Sequence, residues 1–343
     1  MGAPNSIGFG SRRIGVGERV LVIAEIGINH EGNVDICAQM LEQAVEAGAD
    51  AVKLQTIDPD RNYAPGTESH QIFSETALTP DELKRVFSLA HKFGLEIFTT
   101  VGDLSTLAWV EDLAPCAYKV SSGLLTCTPL IERLAQTGRP LLMSTGMAEG
   151  RDIDAAVEAA KSAGAEEIAL LHCTSIYPCP IEKLNLAAIP WLRDRYGLQT
   201  GFSDHSLGSA MAALAVAAGA SVIEKHFSHD PSRSGFDHGI SLDPNGFRQM
   251  VDGIREAESA RGGSGKVTDK EIPAIREKFS RYLAVVTHVS VGQQLDEGNV
   301  GFIRLSDIEG ALPASAFERV RGSRAAQDLP PFTALTQAMI CES

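Results

Sequence analysis

The 343-residue sequence is too long for one small domain and suits one large domain plus a small one. Apolar residues make up 44% and charged residues 22% of it, the mix of a soluble globular chain, and no run approaches the ~20 apolar residues of a bilayer span. Acidic residues outnumber basic ones 44 to 30, and the net charge of −14 opposes sequence-independent attraction to nucleic acid or to an anionic membrane surface.

The first fifteen residues, MGAPNSIGFGSRRIG, lack the apolar stretch of a secretory signal, so a cytoplasmic protein is expected. Gly2 and Ser6 satisfy the loose myristoylation pattern, whose two fixed positions match often by chance. Beyond them, short β-branched or apolar runs alternate with longer amphipathic segments, the pattern of βα units around a parallel sheet. The runs are VLVIAEIG at 20–27, DAVKLQ at 50–55, LEIFTT at 95–100, CAYKVS at 116–121, PLLMST at 140–145, EIALLHCT at 167–174, LQTGFS at 198–203 and SVIEKHF at 221–227. Eight is the number that closes a (β/α)8 barrel. Helix candidates such as VDICAQMLEQAVEAG and TPDELKRVFSLAHKFG end in Gly, as helix C-termini prefer.

After a last helix near 245–260, ARGGSGKVTDKEIP is rich in Gly and charge and reads as a linker. Short strand-like runs follow from about 280. The expected organisation is a catalytic α/β TIM barrel over 1–260, a linker over 261–280 and a small β-rich domain over 281–343. Cys37, Cys116, Cys127, Cys173, Cys179 and Cys341 show no CxxC and no zinc spacing, so they read as reduced, mostly buried structural thiols.

In a (β/α)8 barrel the catalytic groups come from the carboxyl ends of the strands. Here the ends carry, in order, Glu25; Lys53 and Gln55; Thr99 and Thr100; Lys119, Ser121 and Ser122; Ser144; His172 and Ser175; Ser203, Asp204 and His205; Glu224 and His226. Polar groups at all eight ends form one convergent pocket, which reads as an enzyme site. Lys53 and Lys119, with serines from several strands, supply the charge and directional donors an anionic phosphate-carboxylate ligand needs. The alternative is that the lysines pair with Glu25 or Glu224. His205 and His226 end adjacent strands, and two neutral imidazoles with oxygen ligands suit a divalent ion such as Mn²⁺, Fe²⁺, Co²⁺ or Zn²⁺. His30 and His172 read as orienting or packing groups. SGFDHGISL at 234–242 brings Asp237 and His238 over the site, or forms an Asx turn, while Gly27 and Gly32 permit a tight loop beside Asn29 and His30.

Taken together, AEIGINHEGN at 24–33, VKLQ at 52–55, YKVSSG at 118–123, LMSTGM at 142–147, LLHCTSIYP at 170–178, GFSDHSLG at 201–208, EKHFSHD at 224–230 and FDHGISL resemble the N-acetylneuraminate (sialic acid) synthase family, which includes legionaminic and pseudaminic acid synthases. Several long phrases in one order make a specific signal. The resemblance implies a barrel followed by an antifreeze-protein-like (SAF) domain and a domain-swapped homodimer in which Arg304 serves the partner's sugar site. It implies that Lys53, Lys119, Ser122, Ser144, Ser175 and Ser203 bind phosphoenolpyruvate, and that Gln55, Asp237 and Arg304 face an amino-sugar aldehyde. Glu25, His205, His226 and Asp237 are then the catalytic group. His205 and His226 hold a divalent metal, Mn²⁺ for preference, with Mg²⁺ or Co²⁺ as alternatives. The implied reaction joins phosphoenolpyruvate to an N-acetylhexosamine-type aldehyde and releases phosphate.

The chain departs from the family pattern in its sugar half. Leu124 stands where sialic acid synthases usually carry an acidic residue, FTTVGD at 98–103 replaces the usual STPF, and Leu305 replaces the proline that follows the arginine. A leucine cannot hydrogen-bond a hydroxyl or amide, and such a loss shifts discrimination strongly. The acceptor is therefore left open between N-acetylmannosamine, its 6-phosphate, a 2,4-diacetamido-trideoxyhexose and another aldose. Two further readings stay open at this point: a non-catalytic sugar-binding relative, and an aldolase using one lysine as a Schiff base.

Overall fold

Each of the eight apolar runs forms a strand, with ends within two residues of those expected. They are β3 (Leu21–Gly27), β4 (Ala51–Thr56), β5 (Glu96–Val101), β6 (Tyr118–Val120), β7 (Leu141–Ser144), β8 (Ile168–Cys173), β9 (Gln199–Asp204) and β10 (Val222–His226), preceded by a short hairpin of β1 (Ile7–Phe9) and β2 (Arg12–Ile14). In this computed structural model, which describes residues 4–263, 266, 269–306 and 308–341, β3 to β10 close into a barrel in sequence order, and β10 pairs back on β3. Gly2, with the myristoylation pattern, lies outside the described residues. Met1–Gly262 forms one unit and Gly263–Ser343 a second.

Side chains alternate along a strand, so every second residue points into the barrel. The inward ladders are apolar at their starts: Leu21, Ile23, Ala51, Phe98, Ala117, Leu142, Ala169, Leu171 and Val222 pack into one buried cluster. Two or four residues on, the same ladders turn polar, as Glu25, Lys53, Thr100, Lys119, Ser144, Ser203 and Glu224, which line a cavity. Filling the lower barrel with hydrocarbon and the upper barrel with ionisable groups is what makes one end reactive.

The β1–β2 hairpin was not visible in the sequence, because two three-residue strands carry too little periodicity to read. Its Ile7, Phe9 and Ile14 join the inner cluster, with Phe9 edge-on to Phe98 at 5.2 Å between ring centroids. Polar ties hold it: the Gly8 amide donates to Glu167 Oε1 at 2.6 Å, and Arg12 pairs with Asp50 at 3.0 Å. The hairpin plugs the amino end of the barrel.

Helices cover the outside. In α1 (Val34–Glu46), Val34, Cys37, Met40, Leu41 and Ala44 are buried, the i, i+3, i+4, i+7 stripe of a core-facing helix. Asn33 caps it by accepting from the Asp35 and Ile36 amides. After β4 the chain inserts two extra helices, α2 (Pro59–Asn62) and α3 (Glu68–Thr76), before α4 (Pro80–Lys92), which starts with a Thr79–Glu82 capping box. Gly27 and Gly32 have φ of +55° and +70°, the left-handed conformation expected of them.

The second unit begins with a helix at Ile272–Phe279, inside the stretch read as linker. Two small antiparallel pairs follow, Tyr282–Val285 with Val300–Ile303 and Arg324–Ala325 with Ile340–Cys341, around a core of Leu283, Val285, Leu295, Leu312 and Leu329. Among the described residues no helix is long and apolar enough to cross a membrane.

Candidate active site at the carboxyl ends of the barrel strands

A cavity of about 1080 Å³ opens where the ladders turn polar. At its base two lysines interleave with two carboxylates. Lys53 Nζ lies 3.2 Å from both Glu25 Oε2 and Glu224 Oε2, and Lys119 Nζ lies 3.7 Å from Glu224 Oε1. Lys119 also donates to Ser144 Oγ at 2.7 Å, Ser203 Oγ donates to Glu224 Oε1 at 2.8 Å, and Gln55 Nε2 donates to Glu25 Oε1 at 2.9 Å. The register dictates these meetings, since Glu25 is the Cα neighbour of both Lys53 and His226, and Ser203 that of Glu224. Lys53 and Lys119 thus face the cavity and also pair with its carboxylates, Lys53 with Glu25 and Glu224 and Lys119 with Glu224.

All four charged groups are at most 4% exposed, so the balance of burial against charge sets their protonation. Burial pushes Glu25 up to about 7 against the pull of Lys53. Burial acts the same way on Glu224, but Lys119, Lys53 and the Ser203 hydroxyl outweigh it and hold this carboxyl well below its ordinary range. Lys119 is lowered to about 8 by burial, partly countered by Glu224. Glu25 is thus the one carboxyl at the base poised to exchange a proton near neutral pH.

Beside the lysines a cradle of small groups surrounds Gly146. A Cβ there would sit 2.5 Å from Ser175 Oγ and 2.8 Å from both Cys173 Sγ and Ser122 Oγ. The Gly146 amide donates to Ser122 Oγ at 3.0 Å. Ser175 Oγ has no hydrogen-bond partner among the protein groups. A hydroxyl free to donate, in the same cavity lining as Lys119 and Ser144, suits an anion.

The rings of His205 and His226 lie 5.5 Å apart between centroids at the cavity wall, with Tyr177 packed on His205 at 4.1 Å. His205 Nδ1 donates to the Thr174 carbonyl at 2.9 Å, which leaves the Nε2 lone pair free. His226 is held neutral, lowered to about 4 by burial, and its buried Nδ1 has no hydrogen-bond partner, with Asp237 Oδ2 at 3.5 Å. Among the described residues no three His, Cys, Asp or Glu side chains are grouped to hold a metal ion. At His205 burial is outweighed by the contact with Cys173 and the Thr174 carbonyl, so that ring is raised above its ordinary value. With both rings deprotonated, the two imidazoles would fit a divalent ion whose remaining positions go to water or substrate, the open coordination of a reactive site.

Every site residue expected in the barrel lines this cavity: Glu25, Lys53, Gln55, Lys119, Ser122, Ser144, Ser175, Ser203, His205, His226 and Asp237. Asp237 is brought there through its amide, which donates to Asn29 Oδ1 at 3.0 Å. Arg304 belongs to the second unit, where it is exposed and stacks over Phe279 at 4.6 Å. Of the polar residues at the strand ends, Thr99 and Asp204 point outward rather than into the pocket, and His172, read as an orienting or packing group, lies outside it too. Thr99 donates to the Leu54 carbonyl, His172 to the Leu184 carbonyl, and Asp204 pairs with Lys225. The alternation of each strand, applied residue by residue, would have separated them. Cys173, expected to be structural, lines the cavity with Sγ 3.7 Å from His205 Nδ1. All six cysteines are free, but Cys127 and Cys341 are exposed rather than buried. His238 turns inward to Ser228 and Glu31 instead of overhanging the site. Sequence reasoning missed Tyr177 and the wall that α3 supplies through Glu68, Ile72 and Phe73.

The model of the NeuB family matches residues 40–266. The chain belongs to the NeuB family. It is 32% identical to the N,N'-diacetyllegionaminic acid synthase of Legionella pneumophila, over 92% of this chain and 92% of that protein. With the pseudaminic acid synthase of Campylobacter jejuni it shares 31% identity, over 93% and 96% of the two chains. The crystal structure of the N-acetylneuraminic acid (sialic acid) synthetase of Leptospira borgpetersenii superposes with a TM-score of 0.77 at 28% identity, covering 81% of this chain and 98% of that one. As a NeuB-family member this chain is an enzyme of the condensing, carbon–carbon bond-forming kind.

Proposed function

We propose that this enzyme condenses phosphoenolpyruvate with an open-chain amino-sugar aldehyde, in the cytoplasm, to give a nonulosonic acid and inorganic phosphate. The observation that carries the reading is the base of the cavity, where Lys53 and Lys119 interleave with two carboxylates, in a lining that also holds the unpartnered Ser175 hydroxyl. Charge from the lysines and donors from Ser122, Ser144, Ser175 and Ser203 suit the phosphate and carboxylate of the donor. C3 of the donor attacks the aldehyde carbon and water adds at C2. The tetrahedral adduct then loses phosphate by C–O cleavage.

Glu25, with its carboxyl near neutrality, is suited to take the proton of the water that adds at C2, and its charge favours positive character at that carbon. Gln55 keeps the carboxylate in place. A divalent ion, Mn²⁺ for preference, would be held by His205 and His226 and supplies Lewis acidity toward the aldehyde oxygen when bound. Asp237 is placed for a sugar hydroxyl. No residue forms a covalent bond to substrate in this scheme.

For the acceptor, the lining favours an uncharged sugar. Away from the base the cavity is lined by Glu68, Glu75 and Asp237 and by apolar Leu124, Met147 and Phe73, and among the described lining residues the only Lys or Arg are the two basal lysines. Acidic walls oppose a sugar phosphate, and Leu124 favours a carbon without its hydroxyl. The C-terminal unit is proposed to be an antifreeze-protein-like domain that donates Arg304 across a homodimer.

Incubating the Mn²⁺-loaded protein with phosphoenolpyruvate and a panel of N-acetylated aldoses, with phosphate release and product mass measured, tests the reading. Phosphate release with a product heavier than the aldose by one pyruvic acid supports it, and silence across the panel would leave a sugar-binding protein. His226→Ala should abolish turnover and weaken Mn²⁺ binding, and unchanged activity at limiting metal would remove the metal assignment. Arg304→Ala should raise the KM for the acceptor well above any change for the donor.

A further inference from the structure

Next in sequence to the two histidines stands an ion pair that the chemistry above does not use. Lys225 Nζ donates to Asp204 Oδ2 at 2.9 Å, and both side chains are fully buried, at 0% exposure. The two residues are Cα neighbours across β9 and β10, on the outward face of the barrel. Each stands immediately before a histidine of the site, Asp204 before His205 and Lys225 before His226.

The pair also grips the residue on the far side of His205. Asp204 Oδ1 accepts from the Ser206 amide at 2.8 Å and from Ser206 Oγ at 2.7 Å, and Lys225 Nζ donates to the Ser206 carbonyl. Ser206 is thus held at its amide, its carbonyl and its hydroxyl by one buried pair. His205 itself is bracketed in the same way, its carbonyl accepting from the Cys179 amide at 2.9 Å. The rings of His205 and His226, 5.5 Å apart between centroids, project from the positions next to this cross-strand tie.

We propose that Asp204 and Lys225 are positioning residues, which set the separation and direction of the two imidazoles so that both reach one divalent cation. The inference rests on the assignment of His205 and His226 as its ligands. A buried ion pair is a poor source of stability, since desolvation offsets most of its attraction, and an apolar pair of similar volume often serves as well. What an apolar pair cannot supply is the directional hold on Ser206. Partners that orient ligands without touching the ion typically account for about 10–100-fold in metal affinity.

The experiment measures Mn²⁺ affinity by titration calorimetry, Tm, and phosphoenolpyruvate affinity without metal, in Lys225→Met and in the double variant Asp204→Leu with Lys225→Met. Lys225→Met should lose stability, through the carboxylate left unpaired, and at least about tenfold in Mn²⁺ affinity. The double variant should regain most of the Tm and keep the tenfold Mn²⁺ loss, while donor affinity stays within about twofold of wild type in both. Wild-type Mn²⁺ affinity in the double variant would overturn the proposal, as would equal losses for Mn²⁺ and donor. If the double variant does not fold, Ser206→Ala takes its place: a Mn²⁺ loss of about threefold or more at unchanged Tm supports the positioning role, and no loss overturns it. A control separates the two levels of the argument. If His226→Ala binds Mn²⁺ as wild type does, the ligand assignment falls and the proposal with it; if only the pair variants bind normally, the proposal alone falls.

Discussion

At Glu25 burial and charge pull in opposite directions, and burial wins, so the folded-state pKa near 7 lies above the ordinary carboxyl value of 4.5. Between those values the folded chain binds more protons than the unfolded one. The contribution of this group to stability is therefore fully present below about pH 4.5 and is lost as pH rises through about 7. Urea unfolding of the ligand-free protein should show this decline from pH 5 to 8, and Glu25→Gln should not. The same group makes donor binding proton-linked. An arriving anion raises its pKa further, so at pH 8 the wild type should take up protons on binding phosphoenolpyruvate. Calorimetry in buffers of different ionisation enthalpy reads that uptake, and equal uptake in Glu25→Gln would contradict the assignment. Gly146 gives a second test. A methyl group placed 2.5 Å from Ser175 Oγ has to displace the serine cradle, and Gly146→Ala should weaken donor binding by about 10–100-fold, or roughly 1.4–2.7 kcal/mol. Its Tm should fall by no more than corresponds to the overpacking of one methyl, about 1–3 kcal/mol.

Among the elements, the β1–β2 hairpin and α3 do opposite kinds of work. The hairpin fills the closed end of the barrel with Phe9, which is fully buried against Phe98. Truncation to Phe9→Ala should cost about 3–5 kcal/mol through the cavity it leaves, lowering the urea midpoint while KM for both substrates stays unchanged. The α3 helix stands at the open end. Phe73, half-buried on it, stacks on Tyr63 at 5.2 Å and lines the cavity. Phe73→Ala should raise the KM of the sugar acceptor several-fold with little change for the donor, and parallel changes would move α3 out of the acceptor subsite. The eight strands were legible as elements because each carries a run of apolar, β-branched residues. The hairpin and α3 were not, since each is short and takes its conformation from what it packs on.

Over the whole molecule, a net charge of −14 surrounds a site proposed to take an anion. Bulk repulsion and local attraction then act at different ranges, the first screened by salt within about 8 Å at physiological ionic strength and the second buried and hardly screened. Raising salt from about 20 to 150 mM should lower the KM of phosphoenolpyruvate by about twofold and leave that of an uncharged acceptor unchanged. A rise in the donor KM would mean that screening of Lys53 and Lys119 outweighs relief of the repulsion.

The sequence by itself determined the barrel and its reactive end, because both depend on local properties: an apolar run of strand length, a helical stripe, a polar residue at a strand end. It also carried Lys53, Lys119, His205 and His226, whose residue types announce their chemistry. Tertiary structure decided direction and pairing. Thr99, His172 and Asp204 stand at strand ends like the others, but the closed barrel turns them outward, and Asp204 meets Lys225 there. Glu224 becomes the shared partner of two lysines, and Cys173 a wall of the cavity, only when the strands stand side by side in register. The spacing of strand ends is written along the chain, whereas which side chain faces which is fixed by pairing between residues some 20 to 200 positions apart.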